Sequence, residues 1–206
     1  MINAERRRRD TIVIGGSAGS IEALSALLAQ LPGDIPAAIA VVVHVHPLHE
    51  SRLAFVLGRR TGLKVVPAAD RERFERGAVY IAPPDMHLRL KGPSLELDRG
   101  PKVHRTRPAV DPLFISAAHS HGSAVVGVLL SGGGEDGVAG LIEIKAKGGL
   151  SLVQDPTEAA CPAMPRAALL KDNPDGAYSI SGLARALQLL ATGNPVWEPE
   201  VRTRTA

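Results

Sequence analysis

Three polar side chains in this 206-residue sequence stand where an apolar run stops: Ser17 after TIVIGG, His44 after AIAVVV, and Asp136 in SGGGEDG after VVGVLL. A serine hydroxyl is a weak nucleophile until a base takes its proton, and the base works best when a buried carboxylate fixes its tautomer and stabilises the imidazolium. With Ser17 as nucleophile, His44 as base and Asp136 as orienting acid, the three would carry out acyl transfer. Gly15 and Gly19 bracket Ser17 as G-x-S-x-G, a spacing that lets the backbone turn sharply and keeps side chains away from the hydroxyl. An amphipathic segment to Leu31 follows at once, so the hydroxyl would sit at a helix N-terminus, where unpaired N–H groups favour negative charge. Backbone N–H groups for an oxyanion could come from the Ser17 turn, at Ala18, and from the glycine loop, at Gly133. Each residue also admits a plainer role. Ser17 suits a helix N-cap, His44 a hydrogen-bonded core histidine, and Asp136 the cap ahead of Val138.

The surrounding pattern supplies elements able to position such a set. Strands are read at residues 11–16, 37–43, 63–67, 78–82, 124–130, 150–153 and 177–180, and the valine-rich run 37–43 lacks polar alternation, as a strand buried on both faces does. Helical stretches fall between them: from Ser17 to Leu31, Ser51 to Arg60, after Asp111-Pro112 to His121, Val138 to Lys147, Pro165 to Leu170, and Ser181 to Ala191 with a serine cap. Asp111 reads as an N-cap with proline at the first helical position. His87 to Leu90 and Ser94 to Leu97, joined across Lys91-Gly92-Pro93, alternate like a hairpin. Strands alternating with helices predict an α/β fold of three layers, Rossmann-like: a doubly wound, mostly parallel sheet flanked by helices, with one antiparallel hairpin. In such sheets ligands bind beyond the carboxyl ends of the strands. The strands ending at Gly15, Val43 and Leu130 would therefore bring Ser17, His44 and the GGGEDG loop to one edge.

Composition narrows the classes of function. Apolar residues make up 45% and charged residues 22%, which fits a globular domain rather than a disordered or fibrous chain. Net charge is +3, partly from Arg6 to Arg9, and aromatic residues are only 3%, too few for base stacking, so nucleic-acid binding is not expected. Cys161 is the single cysteine, which excludes an internal disulfide and a cysteine-based zinc site. No stretch approaches the roughly 18 apolar residues of a membrane span, so a cytoplasmic location without membrane insertion is expected. His44, His46 and His49 could be read as metal ligands, but His44 and His46 would alternate faces on a continuing strand, and no metal is expected. The turn GGSAGS departs from G-x-G-x-x-G, and the second strand ends in histidine where a ribose-binding carboxylate would stand, so no dinucleotide cofactor is expected either. An α/β-hydrolase would place its acid before its histidine, whereas the order here is Ser, His, Asp.

That order, with IGGSAG around Ser17, VVVHVHP around His44, YIAPPDMHL from Tyr80, RTRPAVDPLF from Arg105, LLSGGGEDGVAG around Asp136 and PAMPRAAL from Pro162, resembles the catalytic domain of the chemotaxis protein-glutamate methylesterases, the CheB type. The resemblance runs from Thr11 to about Leu190. It implies a serine hydrolase site at Ser17, His44 and Asp136, and a substrate that is a glutamate γ-methyl ester on the cytoplasmic domain of a methyl-accepting chemoreceptor. Some related enzymes also deamidate glutamines there. The resemblance further places residues 105–111 beside the site, so Arg105 and Arg107 are candidate substrate contacts; read plainly, they form a solvated basic loop. No cofactor is implied.

Two residues depart from the family pattern. Ala18 stands where threonine is common, and Gly133 where a bulkier residue such as methionine is common. These departures motivate one alternative, a catalytically weak domain kept for binding or regulation; a small-molecule carboxylesterase on the same scaffold is another. Only ten residues precede Thr11, too few for the phosphorylatable receiver domain that usually gates such enzymes, so control in cis is not expected. The organisation read from the sequence is a basic arm at 1–10, a catalytic domain at 11–192 and a flexible tail at 193–206.

Overall fold

The computed structural model describes residues 8–44 and 52–194. In chain order the elements are β1 (Thr11–Gly16), α1 (Ser20–Gln30), β2 (Ala38–Val43), α2 (Leu53–Gly58), β3 (Lys64–Pro67), β4 (Ala78–Ile81), β5 (His87–Lys91), β6 (Ser94–Asp98), α3 (Val110–His121), β7 (Val125–Leu129), α4 (Val138–Ala146), β8 (Leu150–Gln154), α5 (Ala163–Lys171), β9 (Gly176–Tyr178) and α6 (Ile180–Ala191). Seven strands form one sheet in the order β3-β4-β2-β1-β7-β8-β9, every neighbouring pair parallel. The predicted hairpin is β5-β6, a separate antiparallel pair.

Alternation along the strands divides the core into two layers. Ile12, Ile14, Ile39, Val41, Val126 and Val128 pack with α1 and α6, while Val13, Ala40, Val42, Val125 and Leu129 pack with α3, α4 and the hairpin. The chain passes from β1 to β2 on one side and later returns to lay β7 on the other side of β1. The order reverses there, and ligands gather at such a crevice. Close docking of α3 over β1 depends on Gly15, where a Cβ would lie 2.2 Å from Val110 Cγ1.

Several local expectations shift. The charged run 70–77 is tied to the hairpin: Arg71 N–H and Phe74 N–H donate to the carbonyls of Leu95 and Pro93, and Glu72 C=O accepts from Leu95 N–H. The serine cap of α6 is Ser179, whose hydroxyl oxygen accepts from Gly182 N–H, and not Ser181, because β9 ends early at Tyr178. Asp111 does not cap its own helix: Ala109 holds that position, and Asp111 lies inside α3. Arg9 and Asp10, placed by sequence in the basic arm, are docked: Arg9 donates to Leu190, Ser123 and Gly148 carbonyls, and Asp10 pairs with Arg76. Gly193 and Asn194, placed in the tail, donate to carbonyls of the last turn of α6. His46, His49 and Ser51 lie outside the described residues. Among the described residues no helix is long and apolar enough to cross a membrane.

Candidate active site

The first turn after β1 runs without a spacer into α1. Gly19 adopts φ 74° as the N-cap of α1, a left-handed conformation that favours glycine, and it gives the helix no side-chain cap. Ser17 is therefore not the N-cap that its type also suited. Its carbonyl accepts from both the backbone N–H and the hydroxyl of Ser20, at 3.0 and 2.6 Å, leaving the Ser17 hydroxyl free to point elsewhere. It points at His44: Ser17 Oγ lies 3.1 Å from His44 Nδ1. The other ring nitrogen, Nε2, lies 2.7 Å from Asp136 Oδ2. Donation of Nε2–H to the carboxylate leaves Nδ1 with the lone pair that faces the hydroxyl, the tautomer a base requires. Asp136 is 2% exposed and His44 15%.

Asp136 is not the cap of α4 that its position ahead of Val138 suggested. Gly137 holds the capping position at φ 96°, and the Asp136 carboxylate turns across to the start of α3, accepting from Val110 N–H at 2.8 Å and Asp111 N–H at 3.0 Å. Asp111 does the reverse from within α3, its Oδ1 accepting from Gly137 N–H and Gly140 N–H at the start of α4. The two helices cap one another through crossed aspartates. Burial alone would push the Asp136 carboxyl up, but the hydrogen bonds from His44, Val110 and Asp111 outweigh it and hold the group below its ordinary value. For Asp111 burial prevails, helped by the negative charge of Asp136, and its carboxyl is raised.

A cavity of about 320 Å³ opens beside His44, lined by His104, Arg105, Thr106, Gly133, Gly134, Glu135 and Asp136. Of the two candidate oxyanion donors, Ala18 and Gly133 are both exposed, and among the described residues neither N–H has a protein acceptor. The Ser17 N–H is engaged by Ser131 C=O at 2.9 Å. Arg105 lines the cavity with no carboxylate partner among the described residues. Arg107 does not act as a free substrate contact: its guanidinium is engaged with Asp85 Oδ1 and with the carbonyls of Arg99 and Gly100. These bonds clamp the 99–107 loop, and the Arg107 hydrogen bond holds the half-buried Asp85 carboxyl below its ordinary range.

Sequence reasoning missed Thr106, His104 and Ser131. Thr106 Oγ donates to Val103 C=O and lies 3.4 Å from His44 Nε2, close enough to be a weak second acceptor. His104 Nε2 lies 3.0 Å from Asp111 Oδ2. His104, Asp111 and Asp136 bring ligand atoms within 4.8 Å of one another, yet every one of the four carboxylate oxygens already receives an N–H, which is the chemistry of capping and not of an open metal cradle. Ser131 was legible only as a small polar residue opening a glycine run. No periodicity marks the non-helical loop at 99–108.

A family profile described as CheB methylesterase matches residues 12–187. A relative from Leptospira interrogans is 34% identical over 186 residues, an alignment covering 90% of this chain and 96% of the relative. The protein-glutamate methylesterase/protein-glutamine glutaminase 2 of Anaeromyxobacter dehalogenans is 40% identical over 91% of this chain, which spans 55% of that protein. The crystal structure of the Thermotoga maritima CheB methylesterase catalytic domain superposes with a TM-score of 0.86 at 32% identity, covering 89% of this chain and all of that one.

Proposed function

The chain belongs to the CheB methylesterase family, and from that premise we propose that it is a protein-glutamate methylesterase, a serine hydrolase that removes methyl groups from glutamate γ-methyl esters on the cytoplasmic domain of a methyl-accepting chemoreceptor. The observation that carries this reading is the hydrogen-bonded line from Ser17 through His44 to Asp136 at the carboxyl edge of the sheet.

In the reaction His44 Nδ1 takes the Ser17 proton as Oγ bonds to the ester carbonyl carbon, and the carbonyl oxygen becomes an oxyanion facing the Ala18 and Gly133 N–H groups. The C–OCH₃ bond breaks, His44 returns the proton to the methoxide, and methanol leaves. Water then gives a proton to His44 and attacks the acyl group. The Ser17 oxygen leaves, reprotonated by His44, and the product is a glutamate side chain. With a glutamine side chain the same steps would release ammonia, the second activity in the names of the relatives. Water is the only co-reactant. A chemoreceptor substrate implies a cytoplasmic enzyme, and Arg105 at the cavity mouth, with no carboxylate partner among the described residues, suits an acidic helical surface.

The test is methanol release from methylated receptor, with Ser17→Ala as control. Release that falls by about 10³-fold or more in the variant is expected. Retained receptor binding without release by the parent protein would favour a binding module, and hydrolysis of small esters alone would favour a small-molecule esterase. Ala18 and Gly133, the two departures from the family pattern, give the binding module its motive.

A further inference from the structure

The two candidate oxyanion donors lie on separate loops, and a single buried side chain joins those loops. Ser131, fully buried at the end of β7, donates its hydroxyl to Ala18 C=O at 2.7 Å and accepts from Cys161 N–H at 2.8 Å. Its own carbonyl takes the Ser17 N–H, and its N–H donates to Gln154 Oε1, itself 2% exposed, on the neighbouring strand. The peptide units around the nucleophile are thus pinned in succession. The unit before Ser17 is held by Ser131 C=O, the Ser17–Ala18 unit by Ser20 on its carbonyl, and the Ala18–Gly19 unit by Ser131 Oγ. Because N–H and C=O of one trans peptide point in opposite directions, pinning the Ser17 carbonyl fixes where Ala18 N–H points.

The same logic runs through the second loop. Gly132 N–H donates to Cys161 C=O and Gly132 C=O accepts from Met164 N–H, both at 2.9 Å, which turns the Gly133 N–H away from Met164. Cys161 therefore receives the Gly132 N–H on its carbonyl and donates its own N–H to Ser131. We propose that Ser131 is a positioning residue for the oxyanion site, its hydroxyl setting the spacing between Ala18 N–H and Gly133 N–H by tying the nucleophile turn to the segment that holds the glycine loop. This rests on the assignment of Ser17 as nucleophile. Donors that differ by a fraction of an ångström lose much of their effect on a developing oxyanion, so the hydroxyl acts on the chemical step and not on substrate binding.

The experiment measures methanol release from methylated receptor for the parent, Ser131→Ala and Ser131→Thr. Active sites are counted by covalent titration with a phosphonate ester, so that kcat refers to competent protein only. Expected are a kcat per titrated site lowered about 10- to 100-fold in Ser131→Ala with KM within about twofold, an unchanged pH profile, and recovery to within about threefold in Ser131→Thr, which keeps the hydroxyl. A role confined to folding would lower the number of titratable sites and leave kcat per site alone, which would overturn the proposal, as would a threonine variant as slow as alanine. If Ser131→Ala yields no folded protein, Ser131→Cys, with a sulfur that is a weak donor and acceptor, carries the same expectation. Ser17→Ala in the same assay separates the two levels: release that survives it refutes the nucleophile itself.

Discussion

Arg105 and Arg107 stand two residues apart on one loop and do different work. Arg107 is the clamp, its guanidinium closed around Asp85 and two carbonyls, whereas Arg105 offers its charge at the rim of the cavity. Arg105→Ala is expected to raise KM about two- to fivefold with kcat little changed, the scale of a solvent-exposed charge, and the effect should fade as salt is added. Arg107→Ala should instead lower Tm by about 3 °C and kcat along with it, because the loop it releases carries Thr106 against His44. Steady-state kinetics at two ionic strengths, together with a thermal melt, distinguish the pair; equal behaviour would contradict the assignment. Gly133 differs from its neighbours at the same scale. A Cβ there would meet nothing within 4 Å, so neither space nor backbone conformation demands glycine, unlike Gly132, where a Cβ would lie 2.8 Å from Met164 Sδ.

At the scale of elements, the crossed aspartates make α3 and α4 a unit. Asp136 holds the N-terminus of α3, Asp111 holds that of α4, and Gly140 lets α4 approach so near that a Cβ would lie 2.3 Å from Phe114 Cβ. The two carboxyls are shifted in opposite directions, and their linkage to stability has opposite signs. The Asp136 carboxyl is lowered by folding, so its contribution is present above the unfolded value of about 3.9 and is lost as pH falls through the folded value. The Asp111 carboxyl is raised, so its contribution is present below that unfolded value and is lost as pH rises through the folded one. The Tm deficit of Asp136→Asn should therefore shrink as pH drops below about 4, while Asp111→Asn should gain on the parent as pH rises from about 4 to 7, each by roughly 3 °C. Melts from pH 3 to 7 read both slopes, and slopes of the same sign would contradict the opposite shifts of the two carboxyls.

For the whole molecule, the order β3-β4-β2-β1-β7-β8-β9 places the ends of β2, β1 and β7 side by side, so residues 17, 44 and 136 meet although they are 27 and 92 positions apart. The far end of the sheet is closed by Arg9, which joins the start of the chain to Leu190 at the end of α6 and to Gly148 after α4. Arg9→Ala is expected to cost about 1 kcal/mol, a Tm loss of about 2–4 °C, with kcat per folded molecule unchanged because the site lies at the opposite edge. A loss of kcat per molecule would mean that the two ends are coupled.

The sequence by itself determined the central strands and their burial, since the unbroken apolar runs of β1, β2 and β7 fit a sheet covered on both faces. It also marked the sharp turn at Ser17, where G-x-S-x-G joins a strand to a helix, and through strand ends it put Ser17, His44 and Asp136 on one edge. Tertiary structure alone decided what each polar group faces. Asp111 and Asp136 both carry the local signature of helix caps, and both do cap, but each serves the other's helix. Arg105 and Arg107 read alike in sequence and part company only where Asp85 meets one of them. Ser131 carries no motif signal of its own, because its partners Ala18, Cys161 and Gln154 are 113, 30 and 23 positions away. Periodicity reports which face of an element is buried. It does not report which N–H or carbonyl of a distant loop lies within hydrogen-bond reach.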